Sequence, residues 1–252
     1  MRRVSEVATG VLVATSRREL TTSTIVVSGR DAVLIDPAWE PDELTGLADL
    51  LDARGLHVSA GFATHAHHDH LLWHPRFGAA PRWASPRTVS LANQHRLQLL
   101  AELGPDWPPE LAAVFGEVRP AEPETEPAAG EDIVLINHDG HAPGHSALWL
   151  PHRRVLIAGD MLSDVELPLP LDPDDLPSYL AALELLAPYV AQAEVVVPGH
   201  GHPGRPAERL AADRRYLDTL IAGADPDDDR RANPGMAQVH QRNARLAAEF
   251  GR

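Results

Sequence analysis

Cysteine is absent from the 252 residues, which excludes disulfides, thiolate metal sites and a cysteine nucleophile together. Any metal site here must be built from histidine and carboxylate, a ligand set that suits zinc and also iron, manganese or nickel. Positive charge is in deficit, with 22 basic side chains against 36 acidic ones and a formal charge of −14. That balance argues against a basic surface holding a phosphate backbone, so no nucleic-acid partner is expected. The chain also lacks an apolar run of membrane-spanning length. Met1-Arg2-Arg3 is basic, but the residues after it form no signal-peptide core. The expectation is a soluble, cytoplasmic protein that takes a small-molecule substrate and has no membrane partner. There is no short repeat or heptad run, and one domain over residues 1–252 is ordinary for this length. The oligomeric state is left open.

What is present is histidine, 14 in all, and the densest cluster is Ala63-Thr64-His65-Ala66-His67-His68-Asp69-His70. The apolar run Val58 to Phe62 leads into it and reads as a buried strand. Residues two apart in an extended segment point the same way, so His65 and His67 can converge on one ion. A turn at Asp69 and His70 would swing a carboxylate and a third imidazole toward a second ion. Two metals about 3.5–4 Å apart are a recurring hydrolytic device.

Residues 24–28 and 32–36 are β-rich runs around Gly29-Arg30-Asp31, a hairpin signal. The second ends in Asp36-Pro37, where Asp36 reads equally as a turn former or as a residue near the metals. Pro41 to Gly55 and Ser85 to Leu103 read as helices, the latter with Ser85 as N-cap and Pro86 at its first position. Residues 74–130 are interrupted by prolines and are expected to be an insert, helical at first, then irregular and acidic up to Gly130. Such an insert beside a metal site can shape substrate access. Strands are expected at 133–136, 146–150, 155–158 and 194–197, with a helix at 176–190. These strands deliver His145 from His141-Ala-Pro-Gly-His145, Asp160 from Gly159-Asp160, and His200 from Pro198-Gly-His-Gly201. The C-terminal segment, 206–252, is expected to be helical, broken near Asp225 to Asp229. His141 and His202 are expected to order these loops or to meet substrate. His68 reads as either near the ligands or exposed, and His138 as lacking motif context.

Taken in order, Asp36 after an apolar strand, His65-Ala-His-His-Asp-His70, the Pro-Gly-His145 loop, the Gly-Asp160 pair and Pro-Gly-His200-Gly resemble the metallo-β-lactamase superfamily of dimetal hydrolases. The resemblance spans roughly residues 20 to 205. It implies an α/β protein with a four-layer αββα sandwich of two mixed sheets flanked by helices. It further implies that His65, His67 and His145 bind one metal and that Asp69, His70 and His200 bind a second. Asp160 would bridge them, and Asp36 would orient the ligand loop without touching an ion. Two divalent ions per chain follow, zinc foremost, with iron or manganese as alternatives. Departures from individual branches are informative. True β-lactamases place a cysteine in the second site, and flavodiiron oxidoreductases a glutamate where His67 stands. Acyl-homoserine lactonases commonly carry a tyrosine at the position of Ser163. Glyoxalase II has a longer, basic C-terminal region.

Such a pair of cations brings a bridging water to hydroxide near neutral pH, ready to attack an ester, thioester or lactone. Asp69 or Asp160 would take the proton and return it to the leaving group. Basic residues suited to phosphate are scarce near the motifs, which favours acyl over phosphoryl substrates. The alternatives are a phosphodiesterase or nuclease on the same site, a mono-iron enzyme resembling the persulfide dioxygenases, and a non-catalytic metal-binding protein.

Overall fold

The computed structural model describes residues 4–121, 132–170 and 175–251. Its first sheet has seven strands in sequence order: β1 (Val4–Ala8), β2 (Val11–Thr15), β3 (Thr22–Ser28), β4 (Asp31–Ile35), β5 (His57–Phe62), β6 (Arg82–Ala84) and β7 (Arg119–Pro120). The first four are antiparallel neighbours, and β4 through β7 run parallel. The second sheet has β11 (Val195–Pro198), β10 (Val155–Gly159), β9 (His145–Leu150) and β8 (Val134–His138) in that spatial order. Only β10 and β11 are parallel there, so both sheets are mixed.

Side-chain alternation assigns each strand face to a layer. From β4, Val33 and Ile35 enter the space between the sheets and Leu34 the opposite side; β10 does the same with Val155 and Ile157 against Leu156 and Ala158. With both faces buried, these strands read in the sequence as unbroken apolar runs. Outside the first sheet lie α1 (Pro41–Ala53) and α2 (Pro86–Glu102), which share its outer core, together with the short α3 (Pro109–Val114). Outside the second lie α4 (Leu176–Val190), α5 (Pro206–Ile221) and α6 (Met236–Phe250). The result is the expected αββα sandwich. Ser85 caps α2 by accepting the Thr88 N–H, and Gly55, at φ 63°, lies just beyond the end of α1.

Two sequence expectations need correction. Residues beyond α2 are not simply an irregular excursion, because α3 is helical and β7 pairs with β6 to extend the first sheet. The rest of that expected insert, 122–130, lies outside the described residues. The strands β1 and β2 were not anticipated at all; β1, Val-Ser-Glu-Val-Ala, is partly exposed at the sheet edge and carries little apolar signal. No helix among the described residues is long and apolar enough to cross a membrane.

The sheets are tied together at one edge. Ser146 N donates to Thr64 O at 2.8 Å, and Thr22 N donates to Gly199 O at 2.7 Å. The ends of β4, β5, β10 and β11 and the start of β9 meet at this edge, which is where the histidine-bearing loops emerge.

Candidate metal centre

Two adjacent groups of donors form at that edge. One comprises His65, His67, His141 and Asp160, and the other Asp69, His70 and His200; within each group the donor atoms lie within 4.8 Å of one another. Asp160 reaches across both. Its Oδ2 is 3.5 Å from His65 Nε2 and 3.4 Å from both His141 Nε2 and His200 Nε2, while its Oδ1 is 3.2 Å from His70 Nε2. Asp69 Oδ2 is 3.3 Å from His70 Nε2 and 3.2 Å from His200 Nε2.

The outer nitrogens of four rings are already engaged. His65 Nδ1 meets Thr64 Oγ1 at 3.0 Å, His70 Nδ1 meets Asp36 Oδ2 at 2.9 Å, His141 Nδ1 meets Leu169 O at 3.0 Å and His200 Nδ1 meets Glu19 O at 3.0 Å. Each contact places a proton on Nδ1 and turns Nε2 inward, the nitrogen that a metal-binding imidazole would use. Asp36 anchors this shell. It also accepts from Thr64 N at 2.8 Å and Thr64 Oγ1 at 2.6 Å, and its φ of 46° lies in the left-handed region that aspartate tolerates. Asp36 thus touches both Thr64 and His70 and, among the described residues, reaches no further donor of either group.

His145 is where the sequence reading and the structure part. It was expected in the first group, but the structure brings His141 there instead. His145 pairs with His138 in the β8–β9 ladder, and its ring stacks between those of His65 and His138. Its Nε2 accepts the Asp160 N–H at 3.1 Å and its Nδ1 faces His138 Nε2 at 3.3 Å. Both nitrogens are committed to protein, so the ring supports Asp160 from behind. Gly159, at φ 54°, allows that approach, since a Cβ there would collide with the His145 ring. Gly199 is needed in the same way, because its Cβ would strike Asp160 Oδ1.

Electrostatics divide the cluster. Burial holds His65, His67 and His145 below the usual imidazole range and pushes His141 down to about 3, the Asp160 charge opposing it in each case. These rings are neutral, as metal ligands must be. Burial also works against charge on His70 and His200, but Asp160 and other carboxylates outweigh it and raise both. Burial likewise disfavours ionised Asp69 and Asp160, and the surrounding histidines overcome it, so both carboxyls stay well below the usual range.

The donor set fits divalent metal. Asp160 Oδ1 is buried and makes no well-formed hydrogen bond, with His70 Nε2 3.2 Å away, a position that a cation between them would complete. Several inward ring nitrogens also converge, with His65 Nε2 2.9 Å from His67 Nδ1 and His70 Nε2 3.4 Å from His200 Nε2.

Of the remaining candidates, His68 Nδ1 lies 3.0 Å from Glu102 and its ring meets Trp39 edge-on, outside both groups. His202 pairs with Asp164 at 3.0 Å on the surface and orders its loop. Glu166 was not foreseen. Burial raises its carboxyl to about 7, with His200 opposing and Asp160 and Asp69 reinforcing, so it lies within electrostatic reach of the centre. Its sequence neighbourhood, Asp164-Val-Glu-Leu, carries no motif that would single it out.

The family model of the metallo-beta-lactamase superfamily matches residues 17–200, and the chain belongs to that superfamily. Its fold is similar to that of a metallo-beta-lactamase from Pontibacter korlensis, with 22% identity, TM-score 0.66, and coverage of 85% of this chain and 98% of that one. It is also similar to a beta-lactamase domain protein from Burkholderia ambifaria, with 19% identity, TM-score 0.66, and coverage of 98% and 88% respectively. At these identities the likeness concerns the fold.

Proposed function

We propose that the protein is a metal-dependent hydrolase that cleaves a small ester, thioester or lactone. The observation carrying this reading is Asp160, a buried carboxylate that lies between two donor groups and faces ring nitrogens of His65, His70, His141 and His200. His65, His67 and His141 would hold one divalent cation, and Asp69, His70 and His200 a second, with Asp160 shared. Zinc matches this nitrogen and oxygen set best, with iron or manganese as alternatives, and the pair would supply Lewis acidity and a water ionised near neutral pH.

The chain's own residues do the rest. Asp36, Thr64, Leu169 and Glu19 fix ring orientations before substrate arrives, so little reorganisation is left for the reaction. Asp69 is held ionised by His70 and His200, and it accepts the proton released by the attacking water. It then returns that proton to the leaving oxygen or sulfur. The carbonyl lies toward His65, His67 and His141, and the leaving group toward Asp69 and His200. The substrate is a small molecule, and among the described residues Asp69 and Asp160 pair with histidines and with no arginine that would select a phosphoryl group.

The test is elemental analysis of the purified protein, combined with turnover of aryl ester, thioester, lactone and phosphodiester substrates before and after chelation. Two metals per chain with chelator-sensitive acyl hydrolysis is the expected result. A single iron with oxygen uptake on a persulfide, phosphodiester turnover alone, or two metals and no turnover of any substrate would each overturn the proposal.

A further inference from the structure

A cavity of about 540 Å³ opens directly beside His67, between the metal-binding loop and α2. Its size is that of a site for a small organic ligand. Leu91, His95, Gln98 and Glu102 recur at helical spacing along α2 and form one wall, with Leu99 beside them. Ala66, Ala142 and Pro143, from the loops that carry His67 and His141, form the other. The same loops thus shape the donor group and the cavity.

The charge of this cavity is one-sided. No arginine lines it, and the chain has no lysine. Its carboxylate, Glu102, is engaged with His68 at 3.0 Å. A carboxylate arriving along α2, away from His67, would lose water and face Glu102 with no arginine or lysine beside it. A neutral apolar chain would cover Leu91, Leu99 and Pro143 at no such cost.

Resting on the hydrolase reading above, we infer that this cavity receives the acyl portion of the substrate and selects an uncharged, medium-length acyl chain over one ending in an anion. With the carbonyl on the side of His65, His67 and His141, the acyl chain has to leave past His67, which forms part of the cavity wall. The leaving group departs in the other direction, toward His200.

The test compares p-nitrophenyl hexanoate with the mono-p-nitrophenyl ester of adipic acid, which has the same chain length but a terminal carboxylate. Metal-loaded enzyme is expected to favour the hexanoate at least tenfold in kcat/KM. Leu91→Trp, which fills the cavity, should lower the ratio of hexanoate to acetate turnover about tenfold, and Leu185→Trp on the distant helix α4 should not change it. In parallel, calorimetry of hexanamide and of adipic acid monoamide reads the cavity without turnover. Tighter binding of hexanamide, weakened by Leu91→Trp, is expected. Equal binding of the two amides, or binding and acyl-chain preference unmoved by Leu91→Trp, overturns the cavity assignment. Absence of ester turnover with the amide preference intact overturns only the hydrolase reading.

Discussion

The structure gathers His141, and not His145, into the first donor group, and two alanine variants separate the two histidines as ligands. His141→Ala removes a donor whose Nε2 faces Asp160 and His67, whose Nδ1 is hydrogen-bonded to Leu169 O, and whose buried ring meets those of His65, His67 and His145. Losing a residue that only orients a ligand costs about 10–100-fold in metal affinity. Losing a donor itself should exceed that, a fall of more than about 100-fold, or about 2.7 kcal/mol. The metal-free fold loses one hydrogen bond and the packing of a buried ring, about 2–4 kcal/mol. His145→Ala should differ in metal affinity and cost the fold a similar amount. It leaves the buried Asp160 N–H without its acceptor, about 1–3 kcal/mol, and empties the space between the His65 and His138 rings. We expect about 2–4 kcal/mol lost from the metal-free protein, with metal affinity reduced by no more than about 100-fold. Competition with a chelator of known affinity gives the first quantity and urea unfolding of the stripped protein the second. If His145→Ala strips the metal while His141→Ala retains it, the assignment is wrong.

Asp36→Ala should lower metal affinity about 10–100-fold and destabilise the fold by about 3 kcal/mol, because three donors from Thr64 and His70 lose their acceptor; chelator competition and unfolding measure both. Acid should weaken the metal-free protein between about pH 6.5 and 4. His65, His67, His138, His141 and His145 are held neutral chiefly by burial, so their protons are taken up only on unfolding, and stability present above pH 6.5 is lost as pH falls. His138, pushed down to about 4, accounts for about 3 kcal/mol of this in full. His70 and His200 are raised, so their contribution is already complete below pH 6.5, and that of Asp69 and Asp160 is lost only below about pH 3.8. Urea unfolding that is unchanged between pH 7 and 5 would contradict this account. Arg230→Met should cost about 3 kcal/mol and lower turnover with metal content retained. It strands the buried Asp213 carboxyl, already pushed up to about 6 by burial, and it releases Ser163 O and Glu166 O; elemental analysis beside kinetics checks it.

Most of the fold was legible because its strands are buried on both faces and its helices carry plain stop and start signals. Helix α4 falls on the residues expected, and Ser85 and Gly55 mark helix ends as their chemistry requires. The edge bearing the donor groups was legible because histidine and aspartate at strand exits are rarely there for packing. What stayed hidden depends on register. His141-Ala-Pro-Gly-His145 offers two imidazoles four residues apart, and the choice between them turns on whether β9 begins at residue 145 or 146. It begins at 145, which puts His145 into the ladder opposite His138 and leaves His141 in the free loop. Local pattern cannot supply that, because the pairing partner lies across the hairpin. β1 and β7 were missed for a related reason: they are short edge strands held by pairing, with little apolar signal of their own.

The C-terminal helices contribute more than a covering layer. Residues 163–169 follow Asp160 with no helix or strand of their own, so their backbone groups need partners from elsewhere. Arg230 donates to Ser163 O and Glu166 O, Asn233 to Val165 O, and Asn243 to Pro168 O, while Met236 Sδ accepts the Leu167 N–H. The next carbonyl, Leu169 O, is the acceptor that fixes the His141 ring. Residues between 230 and 243 therefore set the conformation of a loop whose end decides which nitrogen of His141 faces the donor group. Ser163 belongs to the same arrangement: its Oγ donates to His200 O at 2.7 Å and accepts the Val165 and Glu166 N–H groups. A side chain at the position where lactonases carry tyrosine is thus committed to backbone here. The loop is held by hydrogen bonds that run outward to α6 and inward to both donor groups.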